Sequence, residues 1–155
     1  MTNNAETKVD RDGWGPGPWD SEPDRLEWRT EVGYPAIMRR VGYHGAWCGY
    51  VAVPPGHPMH GKASLADAAD DLEVHGGVTY SGMCSGEVCH VPEPGEPDDV
   101  FWYGFDCAHC WDLCPGTQAR LPPELRKRID EEVYKDVAYV RAECGSLAKQ
   151  LRDRA

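Results

Sequence analysis

Two groups of residues in this chain have the types and spacing to do chemistry. The first is thiol-based: Cys84-x4-Cys89 and Cys107-x2-Cys110, separated by seventeen residues, with Cys114, His90 and His109 close by in sequence. Paired thiolates at such spacings resemble the two knuckles of a tetrahedral zinc site, in which each pair supplies two sulfur ligands at about 2.3 Å. Gly82 and Gly86 bracket Cys84 and suit the tight turn of a knuckle. The same cysteines could equally be buried free thiols, since Cys is among the most buried residue types and Cys107 closes an apolar run.

The second group is His75-Gly76-Gly77-Val78-Thr79 together with Asp106-Cys107-Ala108-His109. If the two segments lie side by side, His75, Thr79, Asp106 and His109 supply an imidazole base, an orienting carboxylate and a hydroxyl, and the Gly76 and Gly77 amides could hold an anion. That set suffices for phosphoester hydrolysis or nucleotide binding. The competing structural explanation is a hydrogen-bonded histidine at a strand end, with Asp106 capping the next turn. A third pair, His57 and His60 with Lys62 beside them, lacks a nearby third donor and reads as an ordered loop. The Cys107-x2-Cys110 pair has no thioredoxin-like βαβ frame around it, and the chain has no phosphate-binding Gly-Lys-Ser/Thr loop, dinucleotide Gly-x-Gly-x-x-Gly or serine elbow.

These residues must be positioned by a chain of 155 residues, enough for one domain. With 17 Gly and 13 Pro the fold must be loop-rich. Segments 33–40, 47–53, 72–81 and 100–107 have the composition of strands. The first two would pair as a hairpin around Gly42 to Gly45, and the paired glycines would form a bulge in the third. The run Phe101, Trp102, Tyr103, Phe105 predicts a strand buried on both faces. Ala63 to Asp71 predicts a short acidic connection and 91–99 a rigid loop. Leu125, Ile129, Val133, Val137, Val140, Cys144, Leu147 and Leu151 recur every three or four residues, predicting one amphipathic helix over 122–152. Its apolar stripe would pack on the sheet or pair with a second copy as a homodimer. The expected fold is α+β: a small, mostly antiparallel sheet packed by one long C-terminal helix, with a flexible tail over 1–24, a β-rich body over 25–121 and the helix over 122–155. Trp14 and Trp19 in the tail would tuck back onto the body.

Sixteen basic residues face 26 acidic ones, a net charge of −10, which disfavours attraction to nucleic acid backbones. The C-terminal part from Arg120 holds nine basic and seven acidic residues, so the acidity sits in the body. The N-terminus has no apolar core of the kind a signal peptide needs and no run approaches a membrane span, which predicts a soluble, cytoplasmic protein with no membrane partner and its seven cysteines mostly reduced.

The strings GYVAVPPGHPMHGK, VHGGVTYSG, CHVPEPGEPDDVFWYGFDCAH and YKDVAYVRAECGSLAKQL resemble a family of small uncharacterised proteins encoded by bacteriophages and prophages, over roughly Gly33 to Leu151. The acidic body and the aromatic-rich tail motivate the expectation that the protein binds a host protein or a small phosphorylated, nucleotide-like ligand and modulates a host process, with counter-defence as one purpose. The resemblance implies a viral, cytosolic accessory protein made in an infected or lysogenic bacterium. It carries no established activity. In that pattern Cys84, Cys89, His90, Cys107 and His109 match while Cys110 and Cys114 depart, which implies a mixed Cys/His ligand set over a two-knuckle one. A small hydrolase using the His/Asp/Thr cluster and a zinc-stabilised structural module are the other expectations.

Overall fold

The computed structural model describes residues 8–62, 71–127 and 133–155. Five strands, β1 (Arg25–Arg29), β2 (Pro35–Arg40), β3 (Trp47–Val53), β4 (Tyr80–Met83) and β5 (Phe101–Asp106), form one antiparallel sheet in the order β1-β2-β3-β5-β4. Two helices follow, α1 (Pro115–Arg120) and α2 (Val137–Arg152). The α+β fold with a C-terminal helix on a small sheet is therefore the one the sequence pattern predicts.

β3 lies between β2 and β5 and is buried along its whole length. Its side chains alternate between two cores. Trp47, Val51 and Val53 join Met38, Phe101, Tyr103 and Phe105 beneath α2, while Cys48, Tyr50 and Ala52 join Ile37, Val88, Val100 and Trp102 on the other side. Burial on both faces explains the uninterrupted apolar run of β5. α2 contributes Val140, Cys144, Leu147, Ala148 and Leu151, so its apolar stripe is used by the sheet. The helix can come this close because β3 carries Gly49: a methyl group there would lie 2.6 Å from the Phe105 ring and 2.8 Å from Cys144 Sγ.

The helix begins later than the stripe predicts. Pro123–Leu125 form a single 3-10 turn, Leu125 and Val133 are exposed, and Ile129 lies outside the described residues. Val133 is extended and bridges Asp112. Tertiary hydrogen bonds keep the chain off the helical path: Arg40 Nη1 donates to the Tyr134 hydroxyl at 2.7 Å, and the Val137 N–H donates to Glu22 Oε2 at 2.8 Å. α2 starts where Asp136 caps it, its Oδ1 accepting from the Tyr139 N–H at 2.9 Å.

Residues 8–24 lie against the body. Trp19 is buried and packs edge-on against Tyr134, and Trp14 packs edge-on against Trp19. The fully buried Arg40 side chain is neutralised by Glu22 and Asp24 at 3.1 and 2.9 Å, as a buried cation requires. β1 is a strand that the sequence pattern does not predict. It alternates charged Arg25, Glu27 and Arg29 with apolar Leu26 and Trp28, as suits the outermost strand of the sheet.

Candidate functional site

β4 and β5 bring the second group of chemical residues to one end of the sheet. The Thr79 N–H donates to the Gly104 carbonyl at 2.9 Å, which continues the β4–β5 pairing backward toward His75. Past the end of β5, the Asp112 N–H donates to the His109 carbonyl at 2.9 Å and the His109 N–H donates to Asp112 Oδ2 at 3.1 Å, closing a tight turn that aims both side chains at His75.

In that arrangement His75 Nε2 lies 2.8 Å from Asp112 Oδ2 and its Nδ1 lies 2.8 Å from the Tyr139 hydroxyl. The His75 and His109 rings are 5.6 Å apart. Thr79 Oγ1 donates to Asp106 Oδ2 at 3.2 Å, and Asp106 Oδ1 lies 3.4 Å from His109 Nε2. His75, Thr79, Asp106 and His109 are thus neighbours. The carboxylate that orients His75, however, is Asp112, whose side chain has no solvent exposure. Lys135 Nζ stands 3.2 Å from the other oxygen of Asp112, so the buried carboxylate faces an ammonium and an imidazole.

Gly76 is required here for two reasons. Its φ of +68° lies in the left-handed region, and a Cβ at this position would overlap His109 Nε2. The paired glycines form a turn, where the sequence predicts a strand bulge. The Gly77 N–H donates to the Val74 carbonyl at 2.8 Å, so this amide is spent within the turn, which corrects the expectation that it cradles an anion.

The proton inventory of His75 has two neutral solutions. In one, Nε2–H donates to Asp112 and Nδ1 accepts from Tyr139, an Asp–His–Tyr relay. In the other, Nδ1–H donates to the Tyr139 oxygen, the Tyr139 hydroxyl donates to Glu143 Oε1 at 3.4 Å, and the Nε2 lone pair faces the carboxylate. The second arrangement sets two acceptors against one another unless a cation lies between them. Loss of solvent, reinforced by Glu143, pushes the Tyr139 phenol up to about 12, so it stays protonated near neutral pH.

His75, His109 and Asp112 each offer one donor atom, and these atoms all lie within 4.8 Å of one another. The three residues can hold a metal ion. Their surroundings fit that role: His109 Nε2 is buried with no hydrogen-bond partner, and Lys135 and Tyr139 would support the ligands from behind, as outer-shell groups do.

The thiol group does not assemble. Cys84 and Cys89 are joined in a disulfide, which removes both from the ligand set, while Cys107 is buried and Cys110 exposed. Among the described residues, neither the two-knuckle set of Cys84, Cys89, Cys107 and Cys110 nor the mixed set of Cys84, Cys89, His90, Cys107 and His109 converges on a point. Burial raises the Cys107 thiol well above its ordinary value, with Asp112 adding to the effect, and pushes Cys48 up to about 11 and Cys144 up to about 12, so none of the three is a ready thiolate. His90 packs edge-on against Trp102, and burial lowers its pKa. His57 is buried, its Nε2–H donating to the Leu151 carbonyl at 2.7 Å while its Nδ1 accepts from the Met59 N–H, a structural arrangement. His60 Nε2 reaches the Asp99 carbonyl.

Asp112, Lys135 and Tyr139 are the functional candidates that the sequence does not single out. Asp112 sits three residues after His109, the one spacing that could have marked it as a partner. Tyr139 falls on a helix, where periodicity alone assigns it to the outer face. No protein-family model, curated protein or solved structure matches the chain. Among the described residues no helix is long and apolar enough to cross a membrane.

Proposed function

We propose that this protein is a small metal-dependent hydrolase acting on a phosphorylated, nucleotide-like ligand, with zinc held by His75, His109 and Asp112. The observation that carries this reading is the approach of three donor atoms, two imidazole and one carboxylate, to within 4.8 Å of one another. Two imidazoles and one carboxylate make a ligand set used by catalytic zinc, which keeps a further position open. Zinc in such a site lowers the pKa of a water to about 7 and polarises a phosphoryl oxygen.

The chain's own residues supply the remainder. Tyr139 and Glu143 fix the His75 tautomer that leaves Nε2 free to ligate, and Lys135 holds the Asp112 carboxylate in place. Asp106, half-buried and steadied by Thr79 and by the Ala108 N–H, is placed to take the proton from the attacking water. The new oxygen–phosphorus bond forms as the ester bond breaks, and the proton held by Asp106 passes to the departing oxygen. The setting we propose is that of a phage-encoded accessory protein acting on a host metabolite, on the strength of the motif strings.

Metal analysis of the purified chain tests the centre. About one zinc per chain, lost in His109→Ala, supports it. Trace zinc that does not rise on titration overturns it. Hydrolysis of p-nitrophenyl phosphate should stop with a chelator and return with zinc, and should fall about 100-fold or more in Asp106→Asn. Turnover indifferent to chelation would remove the metal from the mechanism.

A further inference from the structure

Trp111 lies at the rim of the centre. It is 55 % exposed, yet its indole lies nearly parallel to the His109 ring, 5.2 Å between centroids and 14° between planes. It is not a loose side chain on a mobile loop. The Val133 N–H donates to the Trp111 carbonyl at 3.4 Å, the Leu113 N–H donates to the Val133 carbonyl at 2.9 Å, and Asp112 bridges Val133 between them. The backbone on both sides of Trp111 is therefore tied down, and His109 supports one side of the ring.

A large apolar ring held rigid and left in water forgoes the gain of burial, and rigid exposed aromatics are the usual platforms for flat ligands. One cationic side chain is close at hand. Lys135 follows Val133 by two residues, stands over the Tyr139 ring at 5.5 Å and reaches Asp112. A ligand matching both features carries a planar ring at one end and an anionic group at the other. The net charge of −10 works against a polyanion but not against one small anion beside Lys135 and the proposed zinc.

We infer that Trp111 is the base-stacking platform of this site and that the ligand is a nucleoside monophosphate, its ring on the indole and its phosphate toward His75 and His109. This assignment of ligand class rests on the hydrolase reading above. It narrows that reading from a phosphorylated, nucleotide-like ligand to a nucleoside monophosphate and names the residue that holds the base.

The test compares adenosine 5′-monophosphate with ribose 5-phosphate, which lacks only the base, by calorimetric titration of the full chain with and without added zinc. The base should tighten binding roughly tenfold. Trp111→Leu should abolish the difference, and Trp111→Phe should keep most of it. Equal binding of the two ligands, no binding of either at millimolar concentration, or a difference that survives Trp111→Leu overturns the assignment. So does a change of oligomeric state in Trp111→Leu with no base preference in the parent, which would make the ring a contact for a second copy. A base preference that persists without zinc, in a chain that takes up no metal, upholds the platform while the metal reading fails.

Discussion

The thiol region and the imidazole region each carry the residue types of a chemical centre, and the fold treats them in opposite ways. Cys84 and Cys89 lie five residues apart and end in a covalent bond with each other, at the turn that follows β4. His75 and Asp112 are 37 residues apart and end 2.8 Å from each other. Ligand spacing along the chain is informative only when a local turn does the positioning. Here β4–β5 pairing does it, and the donors that matter are brought together by strand register.

Breaking the imidazole side should have the largest effect. Asp112→Ala leaves the Lys135 ammonium and the His75 ring without their buried partner, and removing one member of such a set costs about 3–5 kcal/mol. Urea denaturation should show that loss, and bound zinc should disappear with it. A cost under about 1 kcal/mol would mean that Asp112 is not the carboxylate on which this end of the molecule depends.

On the thiol side, the double substitution Cys84→Ser, Cys89→Ser should lower stability by about 2 kcal/mol, the loop-closure value for so short a ring, and leave zinc stoichiometry unchanged. Loss of zinc in this variant would return the cysteines to the ligand set and reverse the comparison.

The adjacent glycines sharpen it further. Gly76 and Gly77 both have positive φ, so alanine at either should cost about 1–2 kcal/mol. At Gly76 alone the new methyl group also displaces His109, whereas at Gly77 it meets open space. Zinc affinity should therefore fall in Gly76→Ala and hold in Gly77→Ala. Equal affinities would place the His109 nitrogen outside the centre.

The smallest effect is on pH dependence. Burial lowers the pKa of His44, with Arg39 adding to it and Asp106 opposing it, and His44 Nδ1 accepts from the Ala46 N–H at 3.0 Å. The folded state holds this ring neutral. Below its ordinary value of 6.5 the unfolded chain binds more protons, so the stability His44 contributes is complete above that pH and is lost as pH falls through the folded value. His44→Asn keeps an acceptor that does not titrate, and its thermal midpoint should fall less between pH 7 and 5 than that of the parent. Parallel midpoints would show that His44 is not the group that titrates.

Much of the fold was legible because burial writes a simple pattern. β2, β3 and β5 lie where β-branched and aromatic residues cluster between Gly and Pro, and the buried stripe from Val140 to Leu151 follows the helical period. β1 went unpredicted although Arg25 to Arg29 alternate charged and apolar residues, because the run is only five residues long and adjoins the Gly- and Pro-rich tail. The beginning of α2 was hidden because Leu125 and Val133 match the helical period by coincidence, while residues 133–137 are held through the Tyr134 hydroxyl by Arg40 and through their backbone by Glu22 and the Asp112 bridge, all from elsewhere in the chain. The candidate site was half legible for the same reason. Histidines near predicted strand ends advertise themselves, but a wholly buried aspartate and a tyrosine on the outer face of a helix acquire their meaning only from what the tertiary structure sets against them.

Glu22 touches Arg40, Tyr134 and Val137, so one early carboxylate joins segments more than a hundred residues apart. A chain emerging from the ribosome meets Arg40 long before Tyr134, and until the later segment arrives the arginine lacks the roof that shields it from water. Closure of this domain must then follow synthesis of its last helix, and premature termination anywhere before Tyr134 would leave an open sheet prone to self-association.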